Sequence, residues 1–134
     1  MPQHAPLCER SLGVPSLDAA HQAILDELDR LSQVDDKDFC NGYCELARRI
    51  DLDFSAEEKW MEKIIYPQFQ SHLEQHSRVL SAIHHAMPRV MEGDIASGRK
   101  VIRLLPQWFM MHIPTMDRSL ATALRAAGVV ADSN

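Results

Sequence analysis

Four successive segments repeat apolar residues at alternating spacings of four and three. The first runs Leu17, His21, Ile24, Leu28 and Leu31. The second runs Phe39, Tyr43, Leu46, Ile50, Asp53, Glu57, Trp60 and Ile64. The third runs Phe69, His72, His76, Val79, Ile83, Ala86 and Val90, and the fourth Val101, Leu105, Trp108 and His112. Two inward positions per heptad is the seam of a bundle helix. Strand-like alternation is absent. The pattern therefore predicts an all-α fold, an antiparallel up-down-up-down four-helix bundle with an irregular N-terminal leader. One domain is expected over residues 1–134, with its core from about residue 12 to residue 128.

Boundaries follow from the breaks in the pattern. Residues 1–15 hold three prolines and one glycine and read as the leader. Ser16 or Asp18 supplies the first helix start. Asp35-Asp36-Lys37-Asp38 is a polar connection. Ser55-Ala56-Glu57-Glu58 matches a capping box, an alternative that starts a new helix at Ser55, but the seam passes through it unbroken. Pro67 suits the first turn of the third helix. Pro88 kinks or ends that helix, and Gly93 closes it. Ser97 caps the fourth helix, Gly128 stops it, and Pro106 and Pro114 cost it backbone hydrogen bonds.

Some seam positions are polar, and they fall at matching heights. Taking one rise per residue from each turn, Glu57 lies nine residues before Tyr66 and His76 ten after it. His76 lies eighteen before Asp94 and His112 eighteen after; His72 and Asp117 lie twenty-two before and twenty-three after. His21 and Asp53 fit less well, offset by roughly 6 Å about Asp35. Asp117 follows His112 by five residues, about 140° around an α-helix and off the seam. Pro114 lies between them and can distort that turn.

His21, Asp53, Glu57, His72, His76, His112 and Asp117 thus occupy one slab of a predicted core. Ionisable groups in such number share a dry interior only if something compensates their charge. Imidazole with carboxylate suits iron, manganese or zinc. One zinc takes about four ligands, so seven candidates argue for two ions with a carboxylate between them. Taken singly, each has a plainer reading: a seam histidine is usually a hydrogen-bonded core residue, and Asp117 a solvated one. Their joint alignment favours the metal. Ile24, Phe54, Trp108 and Phe109 can line a small apolar ligand pocket, although alone each is simply core. His4, His84 and His85 fall outside the slab, and the methionines read as packing residues.

Composition narrows the function classes. The 134 residues are 46% hydrophobic and 25% charged, with a net charge of −5. Lys and Arg form no stripe, so nucleic acid is an unsuitable partner. Apolar runs are too short to span a bilayer. Cys8, Cys40 and Cys44 follow no disulfide framework, which with the absence of an export signal points to a reducing cytoplasm. Cys40 and Cys44 share a helix face; burial near a helix interface accounts for them better than a metal does.

These motifs resemble the hemerythrins, specifically the bacterial single-domain members. The resemblance rests on Leu17-Asp18-Ala19-Ala20-His21, on Phe54-Ser55-Ala56-Glu57-Glu58-Lys59-Trp60-Met61, on Tyr66-Pro67 leading to His72-x3-His76, and on Trp108-x3-His112-Ile113-x3-Asp117. It implies a non-haem centre of two iron ions bridged by an oxo or hydroxo group. Carried over, His72 and His76 hold one iron, His21 and His112 the other, and Glu57 and Asp117 bridge. Ile24, Phe54 and Trp108 match the family's O2 pocket. One position departs: where the family has histidine before the Phe-x-x-Glu-Glu segment, this chain has Asp53. The aspartate is shorter, anionic and a harder ligand. It favours the ferric state and faster autoxidation.

The resemblance implies a protein that binds O2 or a related small ligand for sensing, storage or delivery. The carboxylate-rich alternative is an oxidase- or peroxidase-like di-iron enzyme. A third reading is a redox-responsive interaction module.

Overall fold

The computed structural model describes residues 11–129. Residues 1–10 and 130–134, and with them His4, Cys8 and most of the expected leader, lie outside the described residues. The described chain forms helices α1 (Pro15–Leu31), α2 (Asp36–Lys63), α3 (Phe69–Met91), α4 (Ile95–His112) and α5 (Arg118–Ala126). A single π-helical turn, Ile113–Asp117, joins α4 to α5. α1 packs on α2, α2 on α3 and α3 on α4, and α1 closes the ring against α4. This is the expected all-helical four-helix bundle, and no strand occurs among the described residues.

The helix starts differ in detail from the expected ones. α1 begins at Pro15, whose missing N–H costs nothing in a first turn. Neither Ser16 nor Asp18 caps it. Asp18 instead accepts from the Leu12 amide at 2.8 Å and the Ser11 hydroxyl at 3.0 Å, tying the entering chain to the helix. α2 runs unbroken through Ser55, so the capping box does not operate there. α3 begins at Phe69, two residues beyond Pro67, and continues past Pro88 to Met91. Asp94, not Ser97, caps α4: its carboxylate accepts from the Ser97 amide at 3.2 Å and the Ser97 hydroxyl at 2.6 Å.

Most seam residues form the core, but in α4 Ile102 and Phe109 are buried where the pattern predicts Val101 and Trp108, and Trp60, Ile64 and Phe69 are half-buried. Leu17, Ile24, Leu28 and Leu31 of α1, Phe39, Tyr43, Leu46 and Ile50 of α2, Val79 and Ile83 of α3, and Ile102 and Leu105 of α4 are all buried. The Tyr43 hydroxyl donates to the Ile83 carbonyl at 2.7 Å, satisfying a buried polar end. Gly98 allows α4 to approach closely: a Cβ there would stand 2.6 Å from both Phe39 and Val90. The α2–α3 turn holds Ile65 at a φ of 52°, unusual for a β-branched residue. That tight turn sets Glu57 and His72 side by side.

At the end of α4 the backbone changes pitch. Pro114 has no N–H to continue the α ladder, and the Arg118 amide reaches the Ile113 carbonyl, five residues back. The Thr115 hydroxyl donates to the Met111 carbonyl at 2.6 Å. Widening the turn in this way brings residue i+5 nearly beneath residue i. Asp117 therefore falls below His112 and points inward, and the residues that follow keep Leu120, Ala121 and Leu124 in the core.

Candidate metal centre

Six of the seven seam candidates converge as fully buried side chains. α1 contributes His21, α2 Glu57, α3 His72 and His76, α4 His112, and the π turn Asp117; none is more than 4% exposed. The seventh, Asp53, is half-buried.

Two subsets are evident. Donor atoms of Glu57, His72, His76, His112 and Asp117 all lie within 4.8 Å of one another. Asp117 Oδ1 stands 3.0 Å from both His72 Nε2 and His112 Nε2. Glu57 Oε1 stands 3.2 Å from His72 Nε2 and 3.1 Å from His76 Nε2. The second oxygen of Asp117, Oδ2, faces the other way, 2.8 Å from His21 Nε2. The structure thus groups His112 with His72 and His76, not with His21 as the carried-over assignment had it. The reason is the π turn: Asp117 sits between His112 and His21 and separates them.

Two second ligand-face contacts were not foreseen. His76 Nδ1–H donates to Glu58 Oε2 at 3.0 Å, and His112 Nδ1–H to Gln75 Oε1 at 3.0 Å. Both acceptors fix the ring tautomer, leaving each Nε2 with its lone pair directed into the site. The available signal was position: Glu58 and Gln75 flank Glu57 and His76 on the shoulders of the seam.

The aromatic candidates serve as walls. Phe54 stacks on His76 with centroids 3.8 Å apart and planes 6° apart. Trp108 stacks on His112 at 4.3 Å and 16°. Ile24 and Phe109 are each 1% exposed and closed into the core. Asp53 sits at the mouth of a cleft of about 150 Å³ lined also by Glu45, Arg48, Arg49 and Leu52. His84 is exposed and pairs with Asp51 at 2.9 Å, His85 is exposed, and Cys40 and Cys44 are half-buried free thiols.

The charge balance without a cation is strained. Burial lowers His72, but the Asp117 and Glu57 carboxylates outweigh it and raise it to about 9. His21 is likewise raised, burial being overcome by Asp117. Burial would raise Asp117, yet His112, His21 and His72 hold it well below the usual carboxylate range. Asp53 is pushed up to about 6, by burial first and by Glu57, with Arg49 and His21 opposing.

The residues fit a bound cation better than they fit each other. His76 Nε2, His112 Nε2 and Asp117 Oδ1 are buried without a hydrogen-bond partner, although each has a neighbour near 3 Å. Close atoms that do not point at one another are what ligands of one ion look like. Nitrogen and oxygen ligands about 2.1 Å from a cation stand about 3.0 Å apart when at right angles. Buried polar atoms left unpaired are otherwise costly.

The comparisons agree. The family model described as the hemerythrin HHE cation binding domain matches residues 12–124. The chain is 31% identical over 117 residues to a bacteriohemerythrin of Ralstonia nicotianae, covering 87% of this chain and 85% of that one. It is 22% identical over 116 residues to a bacteriohemerythrin of Methylococcus capsulatus, covering 81% and 86%. A crystal structure of a leucine-to-phenylalanine mutant superposes with a TM-score of 0.83 at 21% identity, covering 92% of this chain and 98% of that one. That last likeness speaks for the fold.

Proposed function

The chain belongs to the hemerythrin family, and from that premise we propose that it holds two iron ions and binds O2 or a related small ligand, for sensing, storage or delivery. The observation that carries this is the convergence of buried, unpaired Nε2 and Oδ1 atoms on one volume. His72, His76 and His112 would hold one ion and His21 with Asp53 the other. Glu57 and Asp117 would lie between them, since the two oxygens of Asp117 already face the two histidine sets.

Iron in this setting supplies reversible electron donation to a small oxidising ligand. The chain supplies the rest. Glu58 and Gln75 hold His76 and His112 in the ligating tautomer. Phe54 and Trp108 fix those rings by stacking and keep water from them. Asp53 brings a negative charge where imidazole would be neutral, which stabilises the more highly charged, oxidised ion.

The test is iron analysis followed by anaerobic reduction and admission of air. Two irons per chain and a charge-transfer absorption band are expected; full loading without a spectral change would reject ligand binding. The Asp53→His variant is expected to keep the oxygenated spectrum longer than the natural chain. Equal lifetimes would remove Asp53 from the ligand set.

One observation favours a second reading, a di-iron oxidase or peroxidase. The cleft beside Asp53, with Arg48 and Arg49 on its wall, gives polar molecules access to that carboxylate. Peroxide consumption faster than free iron supports that reading, and a rate equal to free iron rejects it. A redox-responsive interaction role is a third use of the same site.

A further inference from the structure

The outward face of α4 is apolar where a bundle helix normally meets water with polar side chains. Leu104 is 58% exposed and Met111 74%. With Trp108 they occupy positions i, i+4 and i+7, one continuous stripe. Two adjoining shallow depressions, of about 340 Å³ and 720 Å³, both have Trp108 and Met111 in their walls. Isolated exposed apolar residues need no explanation, but a contiguous patch marks an interaction surface.

What lies beneath the patch and what surrounds it are both informative. Beneath it, the Trp108 ring is stacked on the His112 imidazole. His112 and its partner Gln75 also line the first depression. A candidate ligand is therefore separated from the surface by one aromatic ring. Around it, charge is basic. Arg78 lines the first depression, Lys100 is exposed one turn before Leu104, and Arg118 donates to the carbonyl of Pro114 on the rim at 3.3 Å. No acidic side chain lines either depression among the described residues. From residue 95 to residue 128 the single acidic residue is Asp117, which is buried, whereas the whole chain carries a net −5.

We infer that the Leu104–Trp108–Met111 face docks a small acidic one-electron carrier protein and passes its electron to the site through Trp108 and His112. The inference rests on reading the site as a redox-active metal centre. In each encounter the carrier loses one electron and is oxidised, and one trivalent ion of the site becomes divalent. No bond forms or breaks between the proteins, and no proton has to cross. An apolar centre with a basic rim matches a partner with an apolar centre and an acidic rim. Electronic coupling falls steeply with distance, so the face over a stacked ligand ring is the one such a partner can use.

The probe is a plant-type [2Fe–2S] ferredoxin, with basic cytochrome c and phosphatidylserine vesicles as comparisons. Calorimetric titration of the metal-free and iron-loaded protein is expected to show ferredoxin binding that weakens as salt rises. Met111→Glu and Leu104→Glu change exposed positions, and each is expected to weaken ferredoxin binding about tenfold. In stopped flow they should slow reduction by ferredoxin but not by dithionite. Trp108→Leu keeps an apolar side chain in the face, so it should weaken ferredoxin binding less than either glutamate variant and yet slow electron delivery from bound ferredoxin the most. Unchanged ferredoxin affinity in Met111→Glu, or cytochrome c bound as tightly as ferredoxin, overturns the inference. So does a patch whose substitution abolishes self-association or vesicle binding instead. If dithionite also fails to reduce iron-loaded protein, the metal-centre reading has failed, while the metal-free titration still reports on docking.

Discussion

At the end of the site built by His72, His76 and His112, every ring is buried to 2% exposure or less. Two of those rings are locked from behind, by Glu58 and Gln75, and two are clamped by aromatic faces. At the end built by His21 and Asp53, the aspartate is half-buried beside an arginine-lined cleft, and His21 Nδ1 is buried with no hydrogen-bond partner. The first, closed end is braced by hydrogen bonds and ring stacking, with only His112 reaching a surface depression; the second, open end has its aspartate at a polar cleft. In the two-ion reading proposed above, the ions would therefore have unequal supports. The closed end would retain its ion while the open end exchanges ligands or the ion itself.

The comparison is broken most directly at the shared carboxylate. Asp117→Ala removes the group that faces both ends and is expected to abolish iron loading altogether. In the metal-free protein it should cost about 3–5 kcal/mol, the usual penalty for breaking a buried ionic set. Iron analysis and a denaturant melt report both; retained iron would show that the ends are held independently of Asp117. Asp53→Ala acts on the open end alone. Iron content is expected to fall from two per chain to one without a change in fold, read by metal analysis and circular dichroism. Loss of both ions would mean that the closed end is not self-sufficient. Glu58→Gln keeps the hydrogen-bond acceptor but removes the charge behind His76. A chelator competition should show metal affinity at the closed end weakened about 10- to 100-fold, and the open end little changed.

A pH series gives the smallest effect. In the metal-free protein His72 is raised to about 9, so its contribution to stability is full below its ordinary value of 6.5 and is lost as pH rises through 9. Asp53, raised to about 6, adds a loss in the same direction at lower pH. Metal-free stability should therefore fall between pH 5 and 9. The loaded protein should become more stable over that range, because protons and cation compete for the same nitrogens. Melts at several pH values check the sign; parallel slopes would contradict occupancy of these atoms.

The bundle was legible because its seam is long and regular: 28 residues of α2 keep one face inward through a false capping box. Five ligand candidates, His21, Glu57, His72, His76 and His112, were legible for the same reason, their polarity being conspicuous on an oily stripe; Asp117, off the seam, was reached only through its height and the neighbouring Pro114. What periodicity could not show was which histidines share an ion. That depends on the backbone between His112 and Asp117, and a proline marks a distortion without stating its form. Glu58 and Gln75 escaped because flanking positions are polar in any bundle helix. Asp53 is half-buried at a cleft on α2, and its opening to solvent depends on how α2 sits against its neighbours.

The π turn has a consequence for how such a centre arises and disappears. Compared with an uninterrupted helix, a wide turn is one residue longer than the pitch needs. The wide pitch absorbs that residue and keeps a carboxyl five positions after His112 inside the bundle, where ordinary pitch would leave it about 140° around the helix. Restoring ordinary pitch at unchanged length, as Pro114→Ala is designed to do, should turn the carboxyl group outward and leave a helical protein of ordinary shape. The capacity to carry iron would then be written in the pitch of one turn as much as in the identity of its residues.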